Sequence, residues 1–120
     1  MTETRETLEA PTSLTAPLRG TQFRPEEARN VVMGLTVGEA LDLEREPDNS
    51  YDANAIKVLS PAHEGEAAFL GYVAREIAES LAPAMDSGVN YSVVVFGFQT
   101  PTTPVLAIEL GNPEPDDLPT

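Results

Sequence analysis

At 120 residues with a net charge of −13 and no cysteine, the chain has room for one domain and cannot hold a disulfide, a thiolate metal site or a cysteine nucleophile. The charge works against polyanionic partners, because affinity for nucleic acid comes mainly from Lys and Arg neutralising phosphates. No apolar run approaches the roughly 18 residues of a membrane span. Met1 to Pro17 lacks the apolar core of a secretory signal, so a cytoplasmic protein with no membrane partner is expected.

The first segment, residues 1–17, is rich in Thr, Glu and Pro without periodicity and reads as a disordered arm. The folded body is expected over residues 18–111. There six Arg/Lys face fourteen Asp/Glu between Arg19 and Asn112, which leaves −8, so any contact with DNA has to be local. Leu18 to Arg24 reads as a first strand, with Thr21 and Phe23 on one face. Pro25 to Asn30 is a polar connector, at most a helical turn begun by Pro25, and Val31-Val32-Met33 a short apolar run. Gly38 to Glu46 alternates apolar and acidic residues as a half-buried strand does. Pro47 to Ala53 is a turn-rich loop.

Ala55 to Leu59 reads as a strand, Glu64-Gly65-Glu66 as a turn, and Ala68 to Val73 as the return strand. From Ala74, the positions Ile77, Ala78, Leu81 and Met85 form one helical stripe. Pro83 should break it, giving a helix over 74–81 and a separate turn near 83–86. Asn90 to Phe98, with Val93, Val94, Val95, Phe96 and Phe98, is the strongest β segment. Val105 to Leu110 closes the series. Residues 112–120 form an acidic, proline-rich tail expected to be disordered. About six strands with one or two short helices predict a mainly β fold, a small OB-like or SH3-like barrel.

No catalytic constellation emerges. His63 is the sole histidine, and the carboxylates are scattered. Gly34 to Gly38 lacks the Lys and following helix of a phosphate loop. The density of Asp48, Asn49, Ser50, Asp52 and Asn54 has a structural reading, in which Asp48, Ser50 and Asn54 bond to backbone N–H groups and hold the turn. The alternate spacing of Asp48, Ser50, Asp52 and Asn54 also suggests a calcium loop. Ala53, however, stands where Gly is needed and Leu59 where a bidentate Glu is needed. No metal, no cofactor and no enzymatic activity are expected. Tyr51 either folds back on the core or offers its ring for stacking.

Two runs carry a resemblance: Arg45-Glu46-Pro47-Asp48-Asn49-Ser50-Tyr51-Asp52-Ala53-Asn54-Ala55-Ile56, and Gly71-Tyr72 followed by Arg75-Glu76-Ile77-Ala78, Leu81-Ala82 and Asp86-x-Gly88. Together, with a weaker Val94-Val95-Phe96-Gly97, they resemble the HIRAN domain, found in some Swi/Snf-type remodelling ATPases and as a free-standing bacterial protein. The resemblance implies a pocket for the 3′ end of single-stranded DNA, or for damaged or stalled-fork DNA. In that pocket Tyr51 would form a wall, Asp52 would accept from the terminal 3′-hydroxyl, and Asn49 would contact the end or brace the loop. Arg75 would meet a phosphate, and Tyr72 and Phe96 would approach the bases. The first-strand segment that supplies an Arg and two aromatics in DNA-binding members is here Gly20 to Arg24, offering Phe23 and Arg24. The acidity favours an alternative, a regulatory module of the same fold that binds a basic protein partner such as a helicase or nuclease.

Overall fold

Period-two burial in the strands and a four-residue step in the helices decide what faces inward. A computed structural model of the chain describes residues 13–61 and 67–110. His63, the turn at Glu64 to Glu66, the acidic tail and most of the N-terminal arm lie outside them. Six strands, β1 (Ser13–Arg19), β2 (Ala40–Arg45), β3 (Ile56–Ser60), β4 (Ala68–Val73), β5 (Tyr91–Thr100) and β6 (Thr103–Leu110), close into an antiparallel barrel in the order β1-β4-β3-β2-β5-β6. Closure removes the open edges that a free sheet would present. Helix α1 (Glu26–Met33) packs on β4, and α2 (Arg75–Asp86) leaves directly from its end.

The barrel interior is aliphatic. Leu18, Leu41, Ile56, Val58, Leu70, Val93, Val95, Leu106 and Ile108 are all buried. In β5 the inward Val93 and Val95 alternate with the outward Ser92, Val94 and Phe96. α1 contributes Ala28 and Val32, one turn apart, and α2 contributes Ala78, Leu81 and Ala82. Burying a Leu or Val side chain contributes roughly 1.5–3 kcal/mol, which makes this stripe the main support of both helices.

Three local expectations need correction. The first strand is not Leu18 to Arg24 but Ser13–Arg19, so Ser13 to Pro17, expected in the arm, are part of the sheet. Pro17 is tolerated because β4 pairs only with Leu18 and Arg19, leaving Pro17 a strand neighbour on one side only. Gly20, in the left-handed region at φ 81°, ends the strand, and Thr21–Phe23 turn as a short 3-10 helix. Next, Val31, Val32 and Met33 continue the helix that Pro25 opens, since Val32 completes a buried pair with Ala28. Last, Pro83 does not break α2. It costs only its own N–H, its carbonyl accepts from the Ser87 N–H at 3.1 Å, and the buried face runs up to it.

Among the described glycines, Gly71 has the least room for a side chain. A Cβ there would stand 2.5 Å from the Arg19 carbonyl oxygen and 3.1 Å from a Leu18 methyl. Both obstacles belong to β1, where that strand joins β4. Gly71→Ala should therefore destabilise the fold by about 1–3 kcal/mol, the usual range for forced overpacking. Gly97→Ala, where nothing lies within 4 Å of the added carbon, should stay close to the parent. Chemical unfolding midpoints of the two variants check this.

Candidate functional site

The loop between β2 and β3 is closed at its base by Arg45. The Ala55 carbonyl accepts from the Glu46 N–H at 3.0 Å and from Arg45 Nη1 at 2.8 Å. The other guanidinium nitrogens, Nε and Nη2, reach Asp86 Oδ1 and Oδ2 at 2.9 and 3.1 Å, a bidentate fork onto the last residue of α2. Only 14% of the Arg45 side chain is exposed. The shared hydrogen bond raises the pKa of Arg45 and lowers that of Asp86. Arg45 and Asp86 belong to the two separate sequence runs, and this bond ties the runs together in space.

Within the loop, Asn49 does the work of a turn template. Its Oδ1 accepts from the N–H groups of Tyr51 at 2.8 Å and Asp52 at 3.0 Å. Asp52 repeats the pattern, accepting from the Asn54 N–H at 2.9 Å. The turn is thus held by Asn49 and Asp52 rather than by Asp48, Ser50 and Asn54. Several short polar side chains could have served, and only the backbone path decides which of them faces an N–H. Bracing by Asn49 pushes its neighbour outward, leaving Tyr51 90% exposed.

Glu46 joins the loop to the barrel. Its Oε1 accepts from Asn49 Nδ2 at 2.9 Å and from the Tyr72 hydroxyl at 2.7 Å, while Lys57 Nζ stands 3.9 Å from Oε2. The bonds from Asn49 and Tyr72 hold the Glu46 pKa below the ordinary value of 4.5. Burial, followed by its bond to Glu46, raises that of Tyr72. Tyr72 itself is fixed by β4, where it pairs with Arg19 of β1 on one side and Lys57 of β3 on the other.

These residues enclose a cleft of about 840 Å³. Asn49, Tyr51, Asp52, Tyr72 and Arg75 all line it, as do Arg19 and Glu46. Arg75, the first residue of α2, is 72% exposed, and its Nε stands 3.8 Å from Asp52 Oδ2, a loose pair with a free face on each partner. No side chain caps α2, so the first N–H groups of the helix lie beside Arg75. Asp48 and Glu76 also reach the cleft, so two arginines meet four carboxylates there. Arg19, Glu46, Asp48 and Glu76 line the cleft but were not among the expected site residues, and Arg19 is the cationic one of them. Its signal is the pairing opposite Tyr72, which only the strand register reveals.

Three expected members stand elsewhere. Phe23 is 81% exposed on the 3-10 turn. Arg24 is stacked on Phe69. Phe96 points outward from β5, which lies three strands from β4 in either direction around the barrel. None of the three lines the cleft.

A small closed barrel with a broad cleft, walled by an exposed aromatic, four carboxylates and two arginines, is the architecture of a binding module. The family model described as HIRAN domain matches residues 12–106, and the chain belongs to the HIRAN domain family, a family of non-catalytic modules known for binding DNA. Among solved structures, a protein from Lactobacillus plantarum superposes with a TM-score of 0.70 at 29% identity, covering 84% of this chain and 96% of that one. The HIRAN domain of human HLTF gives 0.63 at 29% identity, covering 82% and 74%. Two plant proteins, the Fanconi-associated nuclease 1 homologs of Oryza sativa subsp. japonica and Arabidopsis thaliana, are 46% identical over 52 residues and 40% over 55. The match covers 43% and 46% of this chain but 5% and 6% of those relatives, so it concerns a small part of their length. No helix among the described residues is long and apolar enough to cross a membrane, and no cluster of metal-ligating side chains occurs among them.

The lowered pKa of Glu46 predicts a pH dependence. A carboxylate whose folded pKa lies below its unfolded one contributes stability that is present above the unfolded value and is lost as pH falls through the folded value. The loss should therefore begin below about pH 4.5. Glu46→Gln should flatten this part of the curve of unfolding free energy against pH. Asn49→Ala, which frees two loop N–H groups and one donor to Glu46, should cost about 1–3 kcal/mol at pH 7. Urea unfolding across the acid range measures both.

Proposed function

We propose that this barrel is a non-catalytic module that binds single-stranded DNA by its 3′ end, as presented by free ends or by damaged or stalled-fork DNA. The observation that carries the reading is the juxtaposition of the Asp52 carboxylate and the exposed Tyr51 ring in the cleft. Asp52 Oδ2 has no partner closer than the loose Arg75 at 3.8 Å, while Oδ1 is occupied by the Asn54 N–H. A carboxylate oxygen held in this way accepts from a hydroxyl and repels a phosphate, so it favours a 3′-hydroxyl end over a 3′-phosphate end. The Tyr51 ring, 90% exposed beside it, is a stacking platform for any base. Arg75, with the uncapped start of α2 behind it, suits the adjoining phosphate. Asn49 acts as the brace that presents Tyr51 and Asp52 together.

A second reading is favoured by the net charge of −13 and by the four carboxylates around the cleft. In it the same fold serves as a regulatory module for a basic protein partner, such as a helicase or nuclease, and the cleft takes a cationic side chain in place of a nucleotide. The plant relatives named as nucleases give that choice of partner its interest. The cytoplasm is the compartment in which either role is proposed.

Fluorescence anisotropy with a short labelled strand in about 50 mM salt separates the two, because ionic contacts to DNA are strongest at low salt. The expected result is binding to a 3′-hydroxyl end that weakens with a 3′-phosphate, is lost in Asp52→Ala, and falls by about 1–3 kcal/mol in Tyr51→Ala. Absence of binding to either end by folded protein would sink the DNA reading in favour of the protein partner.

A further inference from the structure

Six Arg and Lys side chains fall within the described residues, and they divide into two groups. Arg45, Lys57 and Arg75 each stand within ion-pair reach of a carboxylate. Arg19, Arg24 and Arg29 have no carboxylate within that reach among the described residues, and all three come from the segment that runs from the end of β1 into α1. In a chain this acidic, three guanidinium groups without an ion-pair partner in one short segment stand out, and they still outnumber Glu26 and Glu27 of the first turn of α1.

Arg24 is held in a fixed orientation. Its Nε donates to the Phe69 carbonyl at 3.1 Å, and its guanidinium carbon lies 3.8 Å from the centroid of the Phe69 ring. Phe69 in turn packs in a T-shaped contact with Tyr72, with ring centroids 5.3 Å apart at 86°. Tyr72 lines the cleft. Two contacts therefore lead from the cleft wall to a planar cation fixed on an aromatic ring, where little side-chain freedom remains to be lost on binding an anion. Arg29 Nη1 donates to the Arg24 main-chain carbonyl at 2.6 Å, which brings a further guanidinium to the Arg24 backbone. Arg19 stands next to Tyr72 on β1. Lys57 also approaches the Phe69 ring, at 5.0 Å, but Glu46 and its cross-strand neighbour Glu44 offset its charge.

We propose that Arg24, held flat on Phe69 and supported by Arg29, forms a second anion surface that takes backbone phosphates of the strand whose end lies in the cleft. Arg19 connects the two. This rests on the reading of the cleft as a nucleic-acid site and adds a direction to it: the strand leaves past Tyr72 and Phe69 towards the start of α1. The face suits a phosphate backbone better than a base, because Phe69 is already covered by Arg24 and by Tyr72.

The experiment compares a 3′-hydroxyl dinucleotide with an octanucleotide ending in the same two bases, followed by amide chemical-shift titration of the parent, Arg24→Gln and Arg29→Gln. Arg29 is exposed and outside the cleft, so its variant guards against a folding defect in Arg24→Gln, and melting curves accompany both. Both variants should bind the dinucleotide like the parent and bind the octanucleotide about fivefold more weakly, the scale of one exposed ionic contact. Each should also lower the slope of log affinity against log salt by about 0.7, the loss of one single-strand phosphate contact. Unchanged octanucleotide affinity would overturn the second surface and leave the cleft standing. Equal weakening on both ligands would overturn it too, because the residues would then act through the cleft. If the parent binds octanucleotides regardless of their 3′ end and the variants weaken that binding, the surface stands and the end-binding reading falls. If the parent binds neither ligand, both fall.

Discussion

One carboxylate, Glu46, connects everything that gives the cleft its shape. It lies where β2 gives way to the loop and accepts from Asn49 within the loop and from Tyr72 on β4, two strands along the barrel. Asn49 is oriented by donating to Glu46, and the same amide then presents its oxygen to the N–H groups of Tyr51 and Asp52. Tyr72 is oriented by the same acceptor, and its ring then meets Phe69, on which Arg24 rests. Each step fixes a side chain whose remaining groups fix the next. A half-buried acceptor that receives two donors keeps its charge at neutral pH and loses little freedom on binding, because its hydrogen bonds already exist.

The pairing of Arg45 with Asp86 complements this node from the other side. It ties the base of the loop to the far end of α2, while the near end of α2 carries Arg75 into the cleft. The helix is therefore located at both ends by loop chemistry and along its middle by the buried Ala78, Leu81 and Ala82. This explains why Pro83 fails to break it. The segment is held by tertiary contacts whose sum exceeds the cost of one missing N–H bond, and intrinsic propensity is a weak prior against such contacts.

Much of the barrel was legible because its strands bury one face. β2 and β3 show period-two alternation, β5 and β6 are dense in β-branched and apolar residues, and the structure places all four close to where these signals predict. β1 was hidden by Pro17 and by a Thr-rich run whose apolar members, Leu14, Ala16 and Leu18, gain meaning only once β6 lies alongside. α1 was hidden because its buried pair, Ala28 and Val32, straddles a polar segment and an apolar one that look like separate pieces in the sequence. At the site, the loop members came together because neighbours in sequence are neighbours in a tight turn. Tyr72 and Arg75 joined them through a second motif of fixed spacing. Arg19 did not announce itself, since its place beside Tyr72 is a matter of register. Phe96 shows the converse: an aromatic in a conspicuous β segment says nothing about which side of a closed barrel it occupies.

The charge of −13 and a DNA-binding fold conflict less than they first suggest. Glu46 is already engaged by two donors and faced by Lys57, and Asp86 by a guanidinium, so neither presents an unbalanced charge to a ligand. What remains unbalanced near the cleft is local: Asp48, Asp52 and Glu76 on one side, Arg19 and Arg75 on the other. Long-range attraction is absent, so encounter gains nothing from steering, and affinity must come from stacking and from a few well-placed contacts. On the proposed reading, such a binder would discriminate by the chemistry of a strand end rather than by the number of phosphates it covers. With few phosphates neutralised, its affinity would fall only shallowly as salt rises, and its preference between ends would rest on one carboxylate oxygen.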